Sequence, residues 1–494
     1  MKKLSLSQLE QHLSHAAWIL KGPVDASDFK AFIFPLLFFK RVSDVYDEEF
    51  AQALAESEGD VDYASLAELH RFVIPEGCHW NDVRQVSTKV GEALLAAFRG
   101  IETANPEQLY GIFGDAPWSN REKLPDSLLV NLIEHFSFYN LSNEAVEPDV
   151  LGQSYEYLIK HFADLSNKKS GEFYTPRSVV HLIGLILDAQ EGESVYDPAA
   201  GTGGMLLECT EHLRQAGRDY RTLRMFGQEK NLATSTIARM NLFLHGISDF
   251  QIARGDTLRH PAFVQHDRLR QFDCVVANPP FSLKDWGVEQ WSADRYGRNI
   301  AGVPPQSNGD LAWVQHMIAS MKPDKGRMAV VLPHGALFRK GAEGRIRQAL
   351  IEQDKLEAVI GLGGNIFYGT SLAACLLVFR AQKPEARRNK VLFIDAADQV
   401  RVGRAQNFLD PAHVDTIYSW YASDTDVPHH TRLVDVSEVR GKDFNLNIPL
   451  YIQQAAAEAL PSLEEAVAQL EVAAKAAWAA EDRFRVLLTE FELL

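Results

Sequence analysis

The residues of this chain best suited to chemistry are Asn278-Pro279-Pro280-Phe281, which match the needs of methyl transfer to an amino group on a planar ring. Such an amine is a poor nucleophile, because its lone pair is delocalised into the ring. The Asn278 side-chain oxygen and the Pro279 carbonyl can accept its two N–H groups and stabilise the positive charge that grows on the nitrogen. Phe281 offers a face for stacking, and neither proline brings an N–H donor. The alternative is a strand-ending turn followed by a core phenylalanine.

These four residues follow an apolar run, residues 272–277, which predicts a buried strand. Two prolines cannot continue a central strand, so the strand ends there. Open α/β sheets place their ligands at this carboxyl edge. A base inside a duplex cannot reach such a pocket, so a DNA base would have to be flipped out.

A glycine turn, Gly201-Thr202-Gly203-Gly204, follows a predicted strand that ends near Asp197. Small residues let the backbone approach a ligand closely, and a helix that begins near Gly204 favours negative charge at its N-terminus. The third glycine of G-x-G-x-x-G is missing, which disfavours a dinucleotide. The acid at the strand end suits a ligand with a cationic amino group, and S-adenosylmethionine carries one beside its carboxylate.

Two more acids end neighbouring predicted strands. Glu229 follows residues 226–228 and could accept hydrogen bonds from both hydroxyls of a ribose. Asp256 follows the third strand, residues 250–254, and could accept from an adenine amino group. Each acid alone is more often a solvated turn residue. Their positions at successive strand ends before Asn278 favour a shared site.

Composition limits the partners that this chain can have. Its 494 residues carry a formal net charge of −16, whereas a protein that grips duplex DNA alone is usually basic. A DNA substrate would therefore require a partner or a local basic patch. Four scattered cysteines indicate neither a metal cluster nor disulfides, so no metal is expected. No long apolar run or secretory signal is found, which predicts a cytoplasmic protein without a membrane partner.

The apolar pattern divides the chain into three predicted parts. Residues 1–165 are expected to form a helical domain, with Pro35 starting or kinking one helix. Residues 166–450 alternate between strand and helix patterns, which predicts a doubly wound, mostly parallel sheet. Residues 451–494 form a helical tail whose apolar residues alternate by four and three. This tail either binds a partner or packs on its own chain.

Finer features are predicted inside these parts. Asp126 or Ser127 is expected to cap the helix that follows it. Residues 373–380 and 390–394 are expected to add antiparallel edge strands. The long polar loop 282–310 contains Trp and Tyr residues. It is either a segment that orders around a flipped base or a plain surface loop.

The ordered motifs resemble those of amino-group DNA methyltransferases, in an order similar to that of the adenine-specific class. They comprise Gly171–Arg177, Asp197–Gly204, Arg254–Leu258 and Asn278–Phe281. Four further segments look like the methylation subunit of type I restriction-modification systems. They comprise Val24–Ser27, Leu36–Arg41, Gly361–Thr370 and Asp443–Pro449. The resemblance covers nearly the whole chain.

This resemblance implies a Rossmann-like S-adenosylmethionine-dependent methyltransferase domain that modifies adenine N6 in double-stranded DNA, between a helical N-terminal domain and a C-terminal helical tail. It implies a specificity subunit as partner, usually one for two methylation subunits, with restriction subunits able to join. The residues that it assigns to the cofactor are Glu172, Phe173, Tyr174, Thr175, Pro176, Arg177, Thr202, Gly203, Gly204 and Glu229. It assigns adenine to residues 278–281.

Two other interpretations of the motifs are open. An Asn-Pro-Pro-aromatic motif also serves methylation of a guanine amine in RNA or of a glutamine amide in protein. The segment 171–177 and the helical N-terminal part favour a DNA substrate over RNA or protein. A catalytically silent assembly or DNA-clamping module is a further alternative, and the intact Asn278, Asp197 and Glu229 argue against it.

Overall fold

The computed structural model describes residues 3–25, 28–165, 175–367, 372–404, 406–423, 425–453 and 463–490. The chain forms two compact units, Met1–Ile452 and Gln453–Leu494. The larger unit contains a group of helices followed by a mixed sheet that is covered by helices. A division of this unit at residue 165 stays a prediction.

The first part of the larger unit is helical in its described residues. Its helices are α1 (Leu6–Leu20), α2 (Phe29–Glu56), α3 (Val61–Ala64), α4 (Trp80–Arg84), α5 (Val90–Ala104), α6 (Pro106–Leu109), α7 (Asp126–Phe136) and α8 (Pro148–Leu165). Helix α2 runs through Pro35 without interruption and buries Phe34, Phe38 and Phe39. Residues 32–45 of α2 are buried on all sides of the helix, so this part of α2 has to be surrounded by other helices and lies at the centre.

The predicted cap of α7 is wrong. The helix begins at Asp126 itself, after Pro125, which makes no side-chain cap hydrogen bond. The Asp126 carboxylate instead accepts the backbone N–H groups of Lys89 (3.0 Å) and Val90 (2.9 Å), where α5 begins. An acid placed at the N-terminus of a neighbouring helix satisfies donors that this helix cannot pair internally.

From residue 177 onward, strands alternate with helices. The elements are α9 (Arg177–Leu187), β1 (Ser194–Asp197), α10 (Gly204–Gln215), β2 (Arg224–Glu229), α11 (Leu232–Leu244), β3 (Phe250–Arg254), β4 (Val264–Gln265), β5 (Arg268–Leu269), β6 (Cys274–Ala277), α12 (Val288–Trp291), α13 (Asp310–Ala319), β7 (Arg327–Pro333), α14 (Gly335–Phe338), α15 (Ala342–Glu352), β8 (Leu356–Leu362), β9 (Ala374–Arg380), β10 (Lys390–Ala396), α16 (Pro411–Ala422), β11 (Thr431–Asp435) and α17 (Val436–Gly441). This alternation confirms the predicted α/β class.

The main sheet has the strand order β11-β10-β8-β9-β7-β6-β1-β2-β3. From β1 the chain moves outward through β2 and β3, and then returns to place β6 on the other side of β1. Strands β3, β2, β1, β6 and β7 are parallel to one another. The order therefore reverses between β1 and β6, and this switch point is where open sheets bind their ligands.

The prediction of antiparallel edge strands is only half right. Strand β9 is antiparallel to its neighbours, but it lies between β7 and β8 and not at an edge. Strand β10 is parallel to β8 and antiparallel to β11, which forms the edge. Nearly every residue of β9 and β10 is buried, as expected for strands that are covered on both faces.

The loop 282–310 has a core of its own. Trp286 and Trp291 are fully buried and pack with Trp313 of α13. The guanidinium of Arg298 lies 4.7 Å from the centre of the Trp291 ring and 2.7 Å from the carboxylate of Asp294. The interpretation as a plain exposed loop is therefore wrong for these residues. Ordering around a base stays a prediction.

The smaller unit contains one long helix, α18 (Leu463–Glu490). The sequence also predicts that Ser462 caps this helix, but Ser462 lies outside the described residues. Across the described part of the chain, no helix is long and apolar enough to cross a membrane.

Candidate active site

The first wall of the site is the turn between β1 and α10. It begins at Asp197, where β1 ends, and α10 begins at Gly204. Gly201 (φ 53°) and Gly203 (φ 83°) adopt left-handed backbone conformations that other residues rarely take. The Ala200 N–H donates to the Gln228 carbonyl of β2 (3.0 Å), which ties the turn to the neighbouring strand.

Asp197 lies buried at this turn and accepts the Ala199 N–H (2.9 Å). Burial, together with the nearby Glu229 carboxylate, raises the pKa of its carboxyl to about 8, against the effect of the Ala199 hydrogen bond. A buried acid beside a second acid is stabilised by a cation. The site therefore suits a ligand with a positive group at Asp197.

Glu229 ends β2 and joins two turns. One of its carboxylate oxygens accepts the Gly201 N–H (3.0 Å), and the other accepts the Asn231 N–H (2.8 Å). A carboxylate oxygen can accept more than one hydrogen bond. The backbone therefore fixes Glu229 at the end of β2, in a position that suits hydroxyl groups.

Asp256 follows β3, as predicted, but its carboxylate is already engaged. It lies 3.0 Å from the Lys230 ammonium and accepts the Arg259 backbone N–H (3.2 Å). The second interaction closes the turn that contains Asp256. Its predicted contact with an adenine amino group stays a prediction.

The Asn-Pro-Pro-Phe segment begins directly after β6, at the switch point of the sheet. The Asn278 side-chain nitrogen donates to the Thr175 hydroxyl (2.8 Å). The Asn278 side-chain oxygen is buried and has no hydrogen-bond partner in the described part of the chain. A buried acceptor without a partner is rare in folded proteins, so this atom is available to a ligand.

Phe281 and the residue after it are held by distant parts of the chain. The Phe281 ring meets the buried Phe367 ring edge to face, with 6.3 Å between their centres. The Ser282 N–H donates to the Asp310 carboxylate (2.7 Å), which is buried and paired with Arg339. These contacts fix the direction in which the segment leaves β6.

The structure describes only part of the predicted cofactor segment, residues 172–177. Glu172, Phe173 and Tyr174 lie outside the described residues. Thr175 contacts Asn278, and Pro176 precedes the first residue of α9. The Arg177 guanidinium forms an ion pair with Glu156 of α8. Thr175 is therefore brought to the methyl-transfer motif, while Arg177 joins two helices.

Two supporting residues were not foreseen from the sequence. Asn241 of α11 donates from its side chain to the Thr202 carbonyl (3.0 Å), which supports the glycine turn from below. A Cβ built on Gly227 would lie 2.9 Å from the Cβ of Ala200 and 2.7 Å from the Cδ1 of Ile252. A glycine inside a strand often marks such a close approach, so the signal for Gly227 was present.

These features fit S-adenosylmethionine. Asp197 suits the ammonium group, and Glu229 suits the ribose hydroxyls. A Cβ built on Gly204 meets no atom of the described residues within 4 Å, so these residues leave open space over the turn. In the described ranges, no group of three or more His, Cys, Asp or Glu side chains could hold a metal ion.

Comparison with known proteins gives the same picture. The sequence profile of the family described as N-6 DNA Methylase matches residues 146–459, and that of the HsdM N-terminal domain matches residues 9–136. The chain is 31% identical to the type I restriction enzyme HindI methylase subunit of Haemophilus influenzae, over 78% of this chain and 91% of that one. It is 30% identical to the MjaVIII methylase subunit of Methanocaldococcus jannaschii, over 92% and 79%.

Solved structures resemble the fold as well. The crystal structure of a type I restriction-modification methyltransferase subunit from Streptococcus thermophilus has a TM-score of 0.80 and 30% identity, covering 91% of this chain and all of that chain. A putative type I modification subunit from Vibrio vulnificus has a TM-score of 0.65, covering 89% and 94%, and its 22% identity supports the fold alone.

Proposed function

Because the chain belongs to the N-6 DNA methylase family, as a methylation subunit of a type I restriction-modification system, we propose that it methylates adenine in double-stranded DNA after the base is flipped out. It is an adenine-specific DNA methyltransferase whose cofactor is S-adenosylmethionine. The base flipping, the residues that act and the composition of the complex are the proposed parts.

The observation that carries this proposal is the buried side-chain oxygen of Asn278 at the switch point of the sheet, which has no hydrogen-bond partner among the described residues. In the proposed complex this oxygen and the Pro279 carbonyl accept the two N–H groups of adenine N6. They hold the nitrogen lone pair out of the ring plane and stabilise the charge that develops on it. The cofactor supplies an activated methyl group bound to a sulfonium.

The other residues bind and orient. Asp197 holds the ammonium end of the cofactor and Glu229 its ribose, while the glycine turn lets the backbone approach closely. Phe281, fixed by Phe367, offers a face to the base. Asn278 is only partly exposed at the end of β6, so a base paired within a duplex cannot reach it.

The proposal that this chain assembles with a specificity subunit rests on its net charge and on the C-terminal helix α18. A net charge of −16 leaves much of the attraction for phosphate to another subunit. Helix α18 exposes large apolar side chains, such as Leu470 (69%), Trp478 (63%) and Phe484 (59%). Exposed apolar surface of this kind marks a protein interface. We assign this helix to a specificity subunit that binds two copies of this chain, with restriction subunits able to join.

The test is single-base modification mapping of DNA from cells with and without the gene. Loss of N6-methyladenine at a two-part target sequence supports the proposal and reveals the specificity of the partner. An unchanged methylome, in a strain that expresses the complex, contradicts it and favours an RNA or protein substrate or a silent module.

A further inference from the structure

The Asn278 amide makes different contacts at its two ends. Its nitrogen donates to the Thr175 hydroxyl at 2.8 Å, across 103 residues of sequence. Its oxygen is buried, with no partner in the described ranges. The amide is therefore anchored through its nitrogen, and its acceptor is left for the substrate.

Methyl transfer requires this orientation. An asparagine amide can rotate by half a turn, which exchanges its oxygen and its NH₂ group with little change in shape. With the NH₂ group turned toward the substrate, donors would face the N–H groups of the target amine. Neither the Asn278 NH₂ group nor the target amine could then accept a hydrogen bond. The positive charge that develops on the amine nitrogen would lose the stabilising carbonyl dipole of Asn278.

Thr175 is held in place by the helix that follows it. It lies two residues before α9, which buries Val179, Leu182 and Ile183 in the core on one face of the sheet. Because α9 is packed in the core, it fixes the position of the preceding Thr175, whose hydroxyl lies at the end of β6. A hydroxyl oxygen has two lone pairs, so it can accept from Asn278 and still donate its own proton elsewhere.

We propose that Thr175 is a positioning residue for methyl transfer, which holds the Asn278 amide with its oxygen toward the target amine. This inference rests on the proposed function. It differs from the role that the sequence resemblance gave to Thr175, a cofactor contact, because it predicts an effect on the rate of transfer and not on the affinity for the cofactor.

The test compares two substitutions in the full complex with the specificity subunit. Thr175→Val keeps the shape but removes the acceptor, and Thr175→Ser keeps the hydroxyl. Single-turnover methylation of target DNA is measured at saturating cofactor, beside the cofactor Kd. Thr175→Val should slow transfer roughly tenfold to a hundredfold, because small losses of alignment are costly. Its cofactor Kd should stay within about twofold of the wild-type value, and Thr175→Ser should restore most of the rate.

Two further variants sharpen the result. Thr416→Val, at a partly exposed position of α16, removes a hydroxyl that donates to the Ala412 carbonyl of its own helix and should change neither quantity. In an Asn278→Ala background, Thr175→Val should cause little further loss, since the two residues act through one contact.

Other outcomes overturn the inference. A Kd that rises in step with the loss of rate would make Thr175 a cofactor contact. A serine variant as slow as the valine variant would assign the effect to packing of the methyl group. An unchanged rate in Thr175→Val would reject the role while leaving the proposed function intact. If the wild-type complex transferred no methyl group to DNA, the proposed function itself would fail, and this inference with it.

Discussion

At the scale of single residues, the site combines a buried acceptor atom with a pair of acids, of which Asp197 is buried. Asn278 presents an oxygen that has no partner in the part of the chain that the structure describes, and Asp197 lies buried beside the carboxylate of Glu229. Both arrangements are unfavourable in the protein alone, because burial disfavours unpaired polar and charged groups. A ligand with N–H donors and a ligand with a cation would relieve them.

Replacing Asn278 by alanine tests the acceptor. Because it acts mainly in the transition state, Asn278→Ala should lower the rate of methyl transfer by about 10²–10³-fold, with little change in cofactor affinity. Single-turnover kinetics and cofactor titration of the same preparation measure both quantities. A variant that transfers methyl groups at the wild-type rate would remove Asn278 from the mechanism.

Replacing Asp197 by asparagine tests the acid through both binding and stability. The Asp197 pKa, raised to about 8 by burial and by Glu229, lies far above its unfolded value. Between these two pKa values the folded protein retains a proton that the unfolded chain has lost, so stability falls as the pH rises. Asp197→Asn should therefore stabilise the unliganded protein by a few degrees, and more at pH near 8.5 than near 6.

The same substitution should weaken cofactor binding by roughly tenfold or more, since a charge-assisted hydrogen bond is lost. Calorimetric titration with the cofactor and thermal melts at the two pH values give both results. Stabilisation without a loss of affinity would separate Asp197 from the cofactor site.

At the scale of elements, strand β2 sets how closely the glycine turn approaches the sheet. Gly227 pairs with Asp197 of β1 and with Ile252 of β3. The space above it is filled by Ala200 and Ile252. A side chain here would push the turn outward, away from the position in which Glu229 holds Gly201.

Gly227→Ala should therefore destabilise the protein by about 1–3 kcal/mol and weaken cofactor binding, because the added methyl group has no room. Gly441→Ala is a matched control, as a Cβ built there meets no atom within 4 Å in the described part of the chain. Denaturant unfolding and cofactor titration of both variants make the comparison. Equal behaviour of the two variants would show that the turn tolerates displacement.

At the scale of the whole molecule, our proposal assigns catalysis to one unit and partner binding to the other. The larger unit carries the candidate site, and the smaller unit carries an exposed helix. Along α18, Val467, Leu470, Phe484 and Leu488 follow the spacing of four and three on one seam, while Val472 and Val486 lie off it. A partner helix would contact the seam.

The seam is tested by paired substitutions. Leu470→Glu with Phe484→Glu should abolish assembly with the specificity subunit and leave cofactor binding unchanged, since charges cannot enter an apolar seam. Val472→Glu with Val486→Glu is the control, because it adds the same charges at similarly exposed positions off the seam. Light scattering after gel filtration reports assembly. Equal loss of assembly in both double variants would contradict an interface on the seam.

The sequence by itself determined the fold class, the cofactor and the type of reaction. Apolar runs that end in Asp197, Glu229 and Asn278 required strands whose carboxyl ends meet, because parallel strands bring their ends to one edge. The motif residues at those ends then indicated the chemistry. Local patterns sufficed, since each depends on neighbours within a few positions of the chain.

Only the tertiary structure decided which distant residues meet. It placed Thr175 against Asn278, turned Asp126 toward the start of α5, and inserted β9 between β7 and β8. It also buried the tryptophans of the loop 282–310. Periodicity reports which face of an element is apolar but not which other element covers that face. Pairings across tens of residues follow from how these elements pack on one another.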